Sequence, residues 1–263
     1  MSHESEQREL LATACHILYR LGLADYLGHP SVRLDQDRVL IKPKHSSRIR
    51  GMDRMRGEDM TLIDLAGNLV EGEHEPPSER FIHTEIYRAR PDVSAVVHTH
   101  QALATLLGVV GLPILPLLHT EAGLVERQPV PIFACAELIV SPELGGRLAQ
   151  ALGDHPVCHM QGHGIVSVAP TIQEATLGAI HLERLAEANY RVALLGRQPL
   201  VIPDSEIHAL KREQATPAGR WAYYAELAHA WFTIFASGWA ASTSSASSPA
   251  STNRSTRSRR WAR

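Results

Sequence analysis

Cysteine is scarce. The three present, Cys15, Cys135 and Cys158, are scattered, odd in number and without CxxC spacing. That argues against both a disulfide framework and a thiolate metal site, and suits reduced core residues in a cytoplasm. An excess of one charge is also missing: 26 Lys and Arg face 28 Asp and Glu. Electrostatics therefore gives no reason to expect nucleic acid or a membrane as partner. No apolar run reaches transmembrane length, and the acidic, polar opening MSHESEQREL is unlike a secretory signal. Internal repeats are absent. What is present is 44% hydrophobic residues, enough for an ordinary soluble globular core.

Histidine is plentiful. With 15 of them, chance His-x-His pairs are expected, so a metal argument must rest on placement.

Apolar residues at Leu10, Leu11, Ala14, Ile17, Leu18 and Leu21 predict a helix over 4–22 with one buried face. Short strands are expected at Ser31–Leu34, Val39–Lys42, Met60–Asp64 and Asn68–Val70, the last two joined by a turn at Ala66-Gly67. Pro76-Pro77-Ser78-Glu79 predicts a helix capped by Ser78 and running to about Arg90, with Glu79 in its first turn. Then come a strand at Val93–His98, a helix at Ala102–Val109, a strand at Pro129–Phe133 and a helix at Ser141–Leu152. Two strands, Val157–Met160 and Ile165–Val168, flank Gln161-Gly162-His163-Gly164. Thr171-x-x-Glu174 is a capping box opening a helix to Leu195, and a last helix spans about Pro217–Ala236. From Ala241 the composition turns to Ser, Thr and Ala and then to arginine (Arg254, Arg257, Arg259, Arg260, Arg263). One α/β domain over 1–240 and a disordered tail over 241–263 are expected.

His98 and His100 stand two apart at a strand end, so both imidazoles share one face while Thr99 points away. That geometry offers two nitrogen ligands to one cation; the alternative is a chance pair. His163 sits between Gly162 and Gly164, which permit a sharp turn and close backbone approach. Three histidines without a fourth protein ligand leave open coordination positions, the mark of a catalytic site. His83, one turn beyond Glu79 on the same helix face, is either a partner or a surface residue.

Taken together, Pro-Ser-Glu79-Arg, Ala-Val-Val-His98-Thr-His100, Gln-Gly-His163-Gly and the frame Phe81-Ile82-His83-Thr84-Glu85-Ile86-Tyr87-x-x-Arg90-Pro91-Asp92-Val93 resemble the class II aldolase/adducin family. The likeness covers about residues 5–210. It implies a three-layer α/β/α fold with a central, mainly antiparallel sheet, and a homotetramer with sites between subunits. It also implies one zinc, manganese or iron ion per subunit on His98, His100 and His163, with Glu79 as acid/base and in some members also a metal ligand. Adducin-like members, noncatalytic interaction modules, lack the histidines. Such a metal makes a substrate carbonyl an electron sink, so that breaking the neighbouring C–C bond leaves a metal-stabilised enolate, whether an aldehyde or carbon dioxide departs.

The chain departs from the sugar-phosphate members. Their Gly-Asn…Ser first loop here reads Gly28-His29-Pro30-Ser31, and their second-loop Thr-Gly is absent from Lys42-Pro43-Lys44-His45-Ser46-Ser47-Arg48. Ser-Ser-Glu becomes Pro77-Ser78-Glu79. The phosphate cradle is largely lost, and Lys42, Lys44, Arg48, Arg50, Arg54 and Arg56 form a basic stretch that would suit a carboxylate. His29, Ser31, Lys42 and Ser78 are the candidate substrate contacts, His29 either as a donor or in proton transfer. The tyrosine that such aldolases use as proton donor is replaced by Thr120, leaving His119 or Glu121 to substitute. The resulting expectation is a metal-dependent C–C lyase, decarboxylase or aldolase. Its substrate would be a small, nonphosphorylated hydroxy- or oxo-carboxylate, aromatic in some relatives. The rivals are an iron oxygenase of the prenylated-hydroxyphenylpyruvate type and a noncatalytic adducin-like module.

Overall fold

The computed structural model describes residues 2–47, 49, 51–125, 129–213 and 216–242. Arg48 and Arg50 of the basic stretch, and the tail from residue 243, lie outside the described residues. A first compact unit ends at Ala228 and a second begins at His229; the elements below belong to the first except for the end of the last helix.

The chain opens with helix α1 (His3–Arg20), whose Ser2 cap accepts from Ser5 N–H at 3.2 Å. Strands β1 (His29–Arg33), β2 (Arg38–Ile41), β3 (Thr61–Asp64) and β4 (Leu69–Glu71) follow, then α2 (Phe81–Ala89), β5 (Ala95–Thr99) and α3 (Ala102–Val110). Next come β6 (Ile132–Phe133), α4 (Pro142–Leu152), β7 (Val157–Met160), β8 (Gly164–Ala169) and α5 (Ile172–Leu194). Helices α6 (Asp204–Glu213) and α7 (Pro217–Ser242) close the described chain. The strands form one sheet in the order β4-β3-β2-β1-β5-β8-β7-β6, antiparallel except for β6 with β7.

Alternation along the strands sorts side chains into two cores. Val32, Leu40, Leu62, Ala95, Val97 and Ile165 face a cluster built with α1, α3 and α5. Their neighbours Val39, Ile41, Ile63, Val96, Val166 and Val168 face a cluster built with α2 and α4. A strand buried on both faces reads as an apolar run, which is why Ala95-Val96-Val97 shows no polar alternation. Each fully buried Leu, Ile or Val contributes about 1.5–3 kcal/mol on transfer from water. The result is the expected three-layer α/β/α fold. None of the helices among the described residues is long and apolar enough to cross a membrane.

Three expectations need correction. Ser78 does not cap α2: the helix starts at Phe81, Arg80 occupies the cap position and no side-chain cap bond forms. Residues 78–80 make a turn instead, and Glu79 points to the neighbouring loop rather than over its own first turn. The strand expected over 129–133 shrinks to Ile132–Phe133, since Pro129 and Pro131 have no N–H to give a ladder. Helix α6 was not foreseen; it is short and mostly polar, with Ile207 as its one fully buried apolar residue among those described. Cys15 and Cys158 are buried and Cys135 is half-buried, all free; burial pushes both buried thiols up to about 12, away from reactivity.

Candidate metal centre and adjoining cavity

β5 supplies His98 and, just past its end, His100. The register fixes where His98 sits: it lies opposite His29 on β1 and Val166 on β8. Its face is the α2/α4 side, whereas Thr99 turns to the other side and bonds Gln101, which in turn donates to Ala179 O. The strand alternation that predicts paired imidazoles is therefore present in the structure.

His163 enters from the β7–β8 turn. Gly162 there has φ +67°, a left-handed conformation that β-carbons disfavour. Gly164 serves a different need: a Cβ at that position would collide with the Thr99 carbonyl oxygen and crowd the His100 ring. Close approach of β8 to β5 is what packs the three rings together. Their centroids lie 4.8 Å (His98–His100), 5.0 Å (His98–His163) and 5.2 Å (His100–His163) apart. Glu79 completes the group, and one donor atom from each of the four lies within 4.8 Å of the others.

The hydrogen bonding fits a cation. His98 Nδ1 lies 2.9 Å from the Ile165 carbonyl and must donate to it, which leaves Nε2 with a lone pair. That lone pair faces His100 Nε2 at 2.9 Å. Among the described residues neither ring nitrogen of His163 makes a hydrogen bond of normal geometry, although both are buried. Glu79 Oε1 accepts from Ile139 N–H at 2.9 Å, and Oε2 lies 3.4 Å from His163 Nε2. Converging nitrogens with spare lone pairs beside one carboxylate form a donor set that could hold a divalent metal.

Electrostatics agrees. Burial, reinforced by the neighbouring imidazoles, holds His98 and His100 below the ordinary histidine range, so both stay neutral and able to ligate. Burial alone would raise Glu79, but His163 and the Ile139 N–H outweigh it and the carboxyl is lowered.

A cavity of about 290 Å³ opens beside the cluster, lined among others by His29, Lys42, Ser78, Glu79 and His100. Four of the residues anticipated for substrate contact and acid/base work line one space together with His100 of the cluster. Lys42 is 3% exposed, and among the described residues its Nζ donates to Tyr26 O at 3.1 Å. Burial lowers its pKa against the raising influence of Cys15 and Asp25. Ser31 is elsewhere: fully buried, it bonds His83 and Tyr87 and does not line the cavity. His119 is exposed, contacts Thr120 at 3.2 Å and is not among the lining residues. Glu121 is buried and pairs with Arg184 at 3.0 Å. A larger cavity of about 380 Å³ near Arg90, Asp154 and Glu174 holds none of the four cluster residues.

Sequence reasoning missed Ile139, which acts through its backbone and so leaves no side-chain signal. It left Tyr87 unassigned and His83 undecided, although an apolar helix face carrying both was a readable hint.

Residues 9–190 match the model of the Class II Aldolase and Adducin N-terminal domain. The chain is 33% identical over 212 residues to a 3,4-dihydroxyphthalate decarboxylase of Arthrobacter keyseri, covering 77% of this chain and 85% of that protein. It is 32% identical over 180 residues to a 5-methylthioribulose-1-phosphate/5-deoxyribulose-1-phosphate aldolase of Rhodospirillum rubrum, covering 68% and 77% of the two chains. Among solved structures, an L-fuculose 1-phosphate aldolase from Glaciozyma antarctica superposes with a TM-score of 0.72 at 20% identity, covering 87% of this chain and 90% of that one.

Proposed function

The chain belongs to the class II aldolase and adducin family, and from that premise we propose that it is a divalent-metal-dependent lyase that decarboxylates a nonphosphorylated, hydroxylated aromatic carboxylate. Its relatives in the family are lyases, decarboxylases and aldolases among them. The observation that carries the substrate class is the pairing of the Glu79/His98/His100/His163 cluster with a cavity whose cation, Lys42, is buried and has no carboxylate at ion-pair distance among the described residues. The decarboxylase relative supports the same reading.

His98, His100 and His163 would hold the ion, with zinc, manganese and iron as candidates, and Glu79 Oε2 stands beside them. When bound, such an ion polarises a substrate oxygen and offsets the negative charge that C–C cleavage leaves behind. Lys42 Nζ, stripped of water, grips a substrate carboxylate and sets the ring against the cluster; burial makes that contact far stronger than a surface pair. Glu79, kept ionised by Ile139 N–H, takes a proton from a substrate hydroxyl at Oε2 and returns it to the ring carbon that loses carbon dioxide. Ser78 borders the cavity and bounds the substrate on the Glu79 side. The proposed assembly is a homotetramer in the cytoplasm with sites between subunits; light scattering of the full chain would measure the tetramer.

The test is turnover of 3,4-dihydroxyphthalate by the full-length protein reconstituted separately with zinc, manganese and iron. Carbon dioxide release that vanishes on complete metal removal supports the proposal. Activity that survives metal removal, or metal-loaded protein that leaves the compound unchanged, overturns it. Oxygen uptake stoichiometric with product would assign the iron oxygenase reading instead.

A further inference from the structure

A hydrogen-bonded chain runs from the layer between the sheet and α2 out to the cavity. Tyr87 Oη lies 2.7 Å from Ser31 Oγ, Ser31 Oγ lies 2.6 Å from His83 Nδ1, and His83 Nε2 lies 2.7 Å from His29 Nδ1. Tyr87, Ser31 and His83 are buried, while His29 keeps 7% exposure and lines the cavity beside Glu79 and His100. β1 places His29 and Ser31 on the same face, and one turn of α2 places His83 and Tyr87 over them.

Donor and acceptor counts decide which way this chain points. Burial keeps His83 near 3, so its ring carries a single proton, and the 2.7 Å contact between His83 Nε2 and His29 Nδ1 needs one nitrogen to donate and the other to accept. Suppose donation ran inward from His29. Ser31 would then spend its proton on Tyr87, and the buried phenol hydrogen would have no acceptor, because the other group bonded to Tyr87 Oη among the described residues, the Val96 backbone, donates rather than accepts. Donation running outward satisfies every member: Tyr87 O–H to Ser31 Oγ, Ser31 O–H to His83 Nδ1, His83 Nε2–H to His29 Nδ1. The proton of His29 is thereby confined to Nε2.

We infer that His29 presents a fixed Nε2–H donor to the cavity, with His83, Ser31 and Tyr87 as positioning residues that hold this tautomer. Its ligand is an acceptor oxygen of the substrate, a carboxylate or phenolate. His29 does not serve as a base, since its outward nitrogen has no free lone pair. The role of His29 rests on the cavity being the substrate site; the tautomer does not.

The experiment is nitrogen-15 NMR of imidazole tautomers in the full chain carrying diamagnetic zinc, repeated on the metal-free chain because none of the four residues is a candidate ligand. His29→Gln and His83→Gln spectra assign the signals. The expected result is a protonated, pyrrole-like Nε2 and an unprotonated, pyridine-like Nδ1 for both rings. Ser31→Ala and Tyr87→Phe should each shift His83 and His29 toward the other tautomer, and Ser31→Thr should restore the wild-type pattern. A wild-type His29 protonated on Nδ1 overturns the inference, as does a Ser31→Ala spectrum identical to wild type. If the tautomers are as expected but 3,4-dihydroxyphthalate is not turned over, the proposed reaction falls and the fixed donor stands.

Discussion

Glu79 differs from its three neighbours in what removing it should do. The histidines offer lone pairs, whereas Glu79 is already engaged by Ile139 N–H through Oε1. Glu79→Gln keeps size and an acceptor for that N–H but cannot carry a proton. The expected outcome is a fall in kcat of about 10²–10⁴, the usual worth of a general acid/base, with metal content unchanged by elemental analysis. Loss of metal in this variant would show that the carboxylate is a ligand. The double variant His98→Ala/His100→Ala should lose the ion altogether; retained stoichiometric metal would remove the centre from these residues. The convergence of His98, His100 and His163 was legible because their spacing on strand and turn is itself a geometric constraint. Ile139 was not legible, because its contribution is a peptide N–H that any residue could supply.

At the level of elements, the site depends on how tightly β8 lies against β5. Gly164→Ala would press a methyl group into the Thr99 carbonyl and the His100 ring, so the strands must part. The expected outcome is weakened metal retention with far-UV circular dichroism preserved, measured by competition with a chelator. Unchanged affinity would mean that His163 is held by its turn alone. Stability of the same layer depends on α5, whose cap Thr171 accepts from Glu174 N–H at 3.2 Å. Thr171→Ala should cost about 1 kcal/mol and Thr171→Ser little, read from the urea midpoint. Helices such as α5, with a cap at one end and an apolar face throughout, could be read from the sequence. The start of α2 could not, since Ser78 and Pro76-Pro77 imitate a cap. The decisive fact there is tertiary: Glu79 is drawn toward Ile139 and His163 and takes the first turn with it. β6 misled for the opposite reason, an apolar segment whose prolines leave little to pair.

For the whole molecule, burying neutral imidazoles ties folding to pH. Burial pulls His83 down to about 3 and His159 to about 4; His159 packs against Gly108 and, among the described residues, has no hydrogen-bond partner for Nδ1. In the unfolded chain both return to about 6.5. Above that value neither state is protonated and the two sites favour neither. Between about 6.5 and their folded values, the unfolded chain binds protons that the folded chain refuses, so stability falls as pH falls. Each such site contributes about 1.4 kcal/mol per pH unit in that window. The urea midpoint should therefore be flat from pH 8 to 7 and drop steadily below 6.5. His159→Leu, which removes a titrating group from an apolar contact, should lessen the slope by one proton's worth. His83→Leu is the poorer probe, because it also breaks the chain through Ser31 to His29. A midpoint that does not change between pH 7 and 5 would mean that these rings are protonated in the folded protein, and that the cores on the two faces of the sheet are wetter than their packing implies.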